Sequence, residues 1–142
     1  RKAMSVAINR QEINEVALFG QGTPKQYTGF SPMPDFIDKK WESYMIQYDP
    51  GMANSLLDQL GMKDTNGDGA RELPNGKKLV INMQFATQGI DPQIVEMIGQ
   101  HWAEVGIKTT VKEVTPDEYR SQQSSNTLDA GMWRSSQPLA IV

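Results

Sequence analysis

"KLVINMQFAT", residues 78–87, decides how the rest of this 142-residue chain is read. Leu79, Ile81, Met83 and Phe85 alternate with Asn82 and Gln84, the period-two pattern of a strand with one buried face. Downstream, Pro92 opens a helix that runs through Val105, with Ile94, Val95, Ile98, Trp102 and Val105 on one apolar stripe and Gly106 as its stop. "IKTTVKEV" (107–114) is rich in β-branched residues and reads as a second strand. Thr115, Pro116 and Glu118 supply an N-cap, a first-turn proline and a capping-box partner for a short helix. "LDAGMW" (128–133) reads as a third strand. The order β-α-β-α-β predicts right-handed crossovers and an α/β fold, a parallel or mixed β-sheet with covering helices.

Upstream, Asn9 and Glu12 form a capping box for a helix that presents Ile13, Val16 and Ala17 on one face and stops at Gly20. The pattern then dissolves in "GQGTPKQYTGFSPMPDF" (20–36), a long Pro- and Gly-punctuated loop. It either wraps the surface, held by Tyr27, Phe30 and Phe36, or rests on a partner domain. "YDPGMANSLLDQLGM" (48–62) restores order: Asp49 is an N-cap, Pro50 sits at the first helical position, and Ala53, Leu56, Leu57 and Leu60 share one face. Asn75-Gly76 signals a tight turn before the first strand. The chain thus divides into helices plus loop (1–60), a turn region (61–77) and the β-α-β-α-β unit (78–142).

Composition narrows the function. The net charge of −3 comes from 17 acidic and 14 basic residues that are interspersed, which leaves no basic footprint for nucleic acid and no polybasic patch for an anionic membrane. No apolar run approaches the ~20 residues of a membrane span. The absence of cysteine removes disulfides, thiolate catalysis and zinc–thiolate sites without fixing a compartment. The opening "RKAMSVAINR" reads as the interior of a helix, so the chain is expected to be a piece of a longer one.

"DTNGDG" (64–69) is the most chemical-looking motif. An EF-hand-type loop wants oxygens at positions 1, 3 and 5, a carbonyl at 7, a further group at 9, a bidentate Glu at 12 and Gly at 6. Asp64, Asn66, Asp68, the carbonyl of Ala70, and Glu72 meet the first five requirements, with Gly69 in place. Position 12 is Asn75, Arg71 adds positive charge, and Pro74 and Gly76 forbid an exit helix. Two readings stand: a structural calcium site, or an Asx-rich turn closed by its own amides. Calcium is the one cofactor the sequence suggests.

Catalytic patterns are missing. The sole histidine, His101, lies at the edge of the long helix's stripe, where a packed ring with a solvated nitrogen is expected. No G-x-S-x-G elbow, P-loop or G-x-G-x-x-G occurs. An enzyme is not expected.

Read in order, several segments resemble the bacterial extracellular solute-binding proteins of family 5, the peptide-, oligopeptide- and nickel-type receptors that feed ABC importers. "RKAMSVAINRQEINEVALFGQGTP" (1–24) is similar to the family's helix pair with its glycine-rich exit. "YDPGMANSLLDQLGMKDTNGDGARELPNGKKL" (48–79) is similar to its Tyr-Asp-Pro helix and the loop beyond. "VEMIGQHWAEVGIKTTVKEVTPDEY" (95–119) is similar to its long helix ending at Gly-Ile, with strand and short helix following. "LDAGMW" is similar to a strand that ends in an aromatic at the ligand cleft.

The resemblance implies most of the distal part of one lobe of a type II periplasmic-binding-protein fold. Its partners would be a second lobe of the same polypeptide, a small solute such as an oligopeptide, and a membrane permease. Its location would be periplasmic or at the cell surface, with lipoprotein anchoring one route. Trp133 becomes a cleft-wall candidate, against the alternative of a core tryptophan capping its strand. Arg134 is a candidate anion partner. Ser136 stands where peptide-binding members carry an aspartate for the peptide's amino terminus. The competing assignment is a small calcium-binding or interaction module built on DTNGDG.

Overall fold

The alternation around residue 83 places Met83 and Phe85 on one side of a strand and Gln84 and Ala86 on the other, and the architecture grows from that division. The computed structural model of the chain describes residues 1–26, 35–87 and 89–133. Its elements run α1 (Lys2–Val6), α2 (Arg10–Ala17), a 3₁₀ turn (Lys39–Ser43), α3 (Pro50–Gln59), β1 (Val80–Ala86), α4 (Pro92–Glu104), β2 (Lys108–Val114), α5 (Pro116–Ser124) and β3 (Ala130–Met132).

The strands form one sheet in the order β2-β1-β3, with both pairings parallel. The register sets Met83 beside Val111 and Ala130. Among the described residues, antiparallel pairing is confined to isolated bridges from Glu72 to Lys63 and Lys78. Each helix that follows a strand turns the chain back so that the next strand enters in the same direction, as the order of elements requires.

The main core lies on the Met83/Phe85 side. It brings together Val6 of α1, Leu57 of α3, Val95 and Trp102 of α4, and Ile107. On the other side, Ala86 and Val114 meet Tyr119 of α5 in a smaller cluster. An apolar groove of about 430 Å³ opens between α1, α3 and β1, with Leu56, Leu60, Leu79 and Ile81 in its walls.

The expected caps form. Asp49, Asp91 and Thr115 accept from the amides of Met52, Gln93 and Glu118, each before a proline in the first turn. Asn9 Oδ1 accepts from Glu12 N, and Asn9 Nδ2 donates to the Glu12 carboxylate in return. Two expectations at α2 change. Its buried residues are Ile13 and Asn14, while Val16 is exposed. Asn14 turns inward because its Oδ1 takes the amide of Gly22 at 2.6 Å, fastening the exit loop. The helix end lies one residue early: Phe19 adopts φ 52°, and Gly20 N bonds back to Asn14 O at 2.8 Å. In the following loop Tyr27 and Phe30 fall outside the described residues. Phe36 is 82% exposed and anchors nothing.

Candidate functional site

Because the strands are parallel, their carboxyl ends, Ala86, Val114 and Met132, lie along a single edge of the sheet. In open α/β sheets that edge is where ligands bind. Trp133 follows β3 directly and stands at this edge. It is half-buried and packs on the Ala86–Val114–Tyr119 cluster, not in the main core.

Helix α5 frames the indole. The Tyr119 ring meets it edge-on, centroids 5.1 Å apart with an interplanar angle of 61°, a favoured aromatic geometry. The Arg120 guanidinium carbon lies 5.2 Å from the indole centroid, within cation–π range. Tyr119 is buried, and desolvation pushes its phenol pKa upward. Its hydroxyl lies over Gly131, where any Cβ would collide with it. The absence of a side chain at residue 131 therefore lets α5 approach β3 closely enough to hold Trp133. Arg134 and Ser136, the other two ligand-site expectations, lie outside the described residues.

The turn region brings Asp64, Asp68 and Glu72 together, with one carboxylate oxygen from each within 4.8 Å of the others. These oxygens already have partners. Asp64 accepts from the amides of Gly67 at 2.7 Å and Gly69 at 2.8 Å. Asn66 Oδ1 accepts from Asp68 N, and Asp68 accepts from Ala70 N. Buried Glu72 receives Thr65 N at 2.8 Å and Thr65 Oγ1 at 2.7 Å on one oxygen, and Asn66 Nδ2 on the other. The Lys78 ammonium bonds the second Asp68 oxygen. That bond holds the Asp68 carboxyl pKa below the usual carboxylate range and raises that of Lys78. A calcium ion here would compete with Lys78 and with this set of amides.

Arg71, which sequence reasoning treated only as an intruding charge, ties the region to the core. Its Nε donates to Val105 O (2.8 Å) at the end of α4. Nη1 donates to Asp58 (2.6 Å) and to Met62 O (2.5 Å) beyond α3, and Nη2 donates to Asn54 (2.8 Å). Gly106 takes φ +80° against it, and a Cβ there would sit 2.7 Å from Arg71 Cγ. Nothing in the local pattern marks this arginine, because its partners lie 9 to 34 residues away.

His101 departs from expectation. It is 4% exposed, and its Nε2 donates to Glu12 Oε2 at 3.0 Å, joining α4 to α2, while Nδ1 is buried with no partner among the described residues. The ring is buried because α4 packs against α2, whose first-turn Glu12 meets Nε2.

The fold matches a piece of one lobe of the periplasmic binding proteins. The oligopeptide-binding protein OppA superposes with a TM-score of 0.85 at 31% identity, over 97% of this chain and 22% of that one. The chain belongs to the bacterial extracellular solute-binding proteins, family 5, whose middle-region pattern matches residues 1–139. A periplasmic alpha-galactoside-binding protein of Rhizobium meliloti is 31% identical over 109 residues, 70% of this chain and 15% of the relative. A glutathione-binding protein of Pectobacterium atrosepticum is 30% identical over 119 residues, 78% of this chain and 22% of the relative. The chain thus spans between 15% and 22% of the length of these relatives.

Proposed function

We propose that this chain supplies most of the distal part of one lobe of an extracytoplasmic solute receptor that delivers a small solute to an ABC permease. The observation that carries the reading is Trp133, half-buried at the shared carboxyl edge of a parallel sheet in a family 5 chain. A second lobe of the same polypeptide would close over the solute against this edge. Closure is then a population shift driven by contacts that exist only in the closed form. The relatives' named solutes, an alpha-galactoside, glutathione, heme and oligopeptides, support a receptor for a solute and span several chemistries. Arg134 is proposed as an anion partner for the solute, and Ser136 stands where peptide-binding members carry an aspartate. Such a receptor acts by capture and release, without catalysis, in the periplasm or at the cell surface.

The test is solute binding by the full-length gene product, screened by thermal shift with oligopeptides and oligosaccharides and then measured by calorimetry. Trp133→Ala is expected to weaken the best solute about tenfold or more with a small change in melting temperature. Unchanged affinity in that variant removes Trp133 from the cleft.

For the DTNGDG region the reading we favour is an amide-closed turn. Structural calcium is the second reading, supported by the convergence of Asp64, Asp68 and Glu72. Asp64→Ala removes two exposed hydrogen bonds to the amides of Gly67 and Gly69 and is expected to cost about 0.5–1.5 kcal/mol in urea unfolding with EDTA present. A loss that appears only when millimolar calcium is added assigns the loop to the ion instead.

A further inference from the structure

The turn region holds two Asn-Gly pairs, Asn66-Gly67 in DTNGDG and Asn75-Gly76 before β1. An asparagine followed by glycine is open to attack on its own side chain, because no Cβ on the next residue shields the main-chain nitrogen. Locally the two pairs are alike. Gly67 has φ 78° and Gly76 has φ 79°, and a Cβ at either would meet nothing within 4 Å. Both asparagines are exposed. The fold separates them through hydrogen bonding.

At Asn66 the reacting groups are all held. Its side-chain amide is fixed at both ends: Oδ1 accepts from Asp68 N at 2.9 Å, and Nδ2 donates to buried Glu72 at 3.2 Å. The attacking nitrogen, Gly67 N, donates to the Asp64 carboxylate at 2.7 Å. Bonds to ionised acceptors are the stronger kind, and ring closure at Asn66 disrupts two of them. At Asn75 the one side-chain bond among the described residues runs from Lys77 N to Oδ1 at 3.1 Å. That amide points at the oxygen on which negative charge develops as the side-chain carbonyl is attacked, so it favours the reaction. Gly76 N donates to Leu73 O at 2.8 Å, a neutral main-chain acceptor.

We propose that Asn75 is a site of spontaneous deamidation in the folded protein, and that the Asp64 and Glu72 carboxylates protect Asn66 from the same reaction. Gly76 N loses its proton and bonds to Asn75 Cγ, the Cγ–Nδ2 bond breaks, and ammonia leaves a cyclic succinimide. Water then opens the ring at either carbonyl. Cleavage of the new N–Cγ bond gives aspartate. Cleavage of the bond between Asn75 C and Gly76 N gives isoaspartate, whose main chain runs through Cβ. Either product places a negative charge just before Lys77 and Lys78, and isoaspartate also adds a backbone atom to the turn that leads into β1. The modification is independent of the receptor reading.

The experiment incubates the full-length gene product at mildly alkaline pH, folded and in parallel unfolded in guanidinium chloride. Peptide mapping by mass spectrometry, with aspartate and isoaspartate resolved, follows both sites. In the folded protein Asn75 is expected to convert about tenfold or more faster than Asn66, with isoaspartate among the products. In the unfolded chain the two are expected to convert at similar rates. Asp64→Ala frees Gly67 N and is expected to raise the Asn66 rate while leaving that of Asn75 unchanged. Equal rates at the two sites in the folded protein, or an Asn75 that converts only when unfolded, overturn the proposal. The same preference in the unfolded chain also overturns it, since local sequence would then be the cause. An Asn66 rate unchanged in Asp64→Ala overturns the protection assigned to that carboxylate.

Discussion

Replacing Arg71 with methionine is expected to lower the free energy of unfolding by about 3–5 kcal/mol, read as the shift of the urea midpoint at unchanged slope. The side chain is 12% exposed, and methionine keeps most of its volume, so the loss isolates the hydrogen bonds. Removal of the guanidinium strands the Met62 and Val105 carbonyls beyond the ends of α3 and α4, together with the Asn54 amide. Carbonyls at helix ends have no partner within the helix, and the negative end of the dipole favours a cation there. Arg71→Lys is expected to recover little, since a single ammonium cannot reach three directions at once. Asp58→Ala is the control. Its carboxylate is 53% exposed, so losing that one bond is expected to cost less than about 1 kcal/mol. Equal effects from Arg71→Met and Asp58→Ala would show that the surface ion pair, not the helix-end bonds, is the part that matters.

The second large effect is expected at Trp102. Its indole is buried among Val6, Met83 and Val95, and Nε1 donates to Met4 O at 2.9 Å. Trp102→Ala is expected to cost about 3–5 kcal/mol through lost contact and the cavity left behind. Trp102→Phe retains most of the apolar contact and loses the bond, for about 1 kcal/mol. Urea unfolding of the pair separates the two contributions. A phenylalanine variant as weak as the alanine one would show that the bond to Met4, more than packing, fixes α1 to α4.

Much of the scaffold is legible because its signals are local. Asp-Pro at 49–50 and 91–92 and Thr-Pro at 115–116 mark helix starts within four residues, and all three cap as the chemistry requires. Alternation through Met83 and Phe85 locates the central strand and its core face. What escapes is decided by distant neighbours. His101 looks like a helix-edge residue until α2 covers it. Val16 looks like a core residue until Asn14 takes the inward position to hold Gly22. The site is legible in part. Trp133 stands out as an aromatic at a strand end, but the framing by Tyr119 and Arg120 follows from how α5 crosses back over the sheet. That approach depends on a glycine at 131, whose role is invisible until the helix is placed.

The bond from Trp102 to the Met4 carbonyl spans 98 residues, and it bears on the order of assembly. At ribosomal rates, about 5–20 s separate the emergence of these two partners. Over that interval α1, five residues long, is too short to persist as an isolated helix. Of the elements described, α1 is therefore among the last to find its place, once α4 has crossed the sheet. Contacts of such separation slow folding through the entropy of closing the intervening loop. The carbonyl of Met4 thus gains its indole partner only after the sheet that carries α4 has formed.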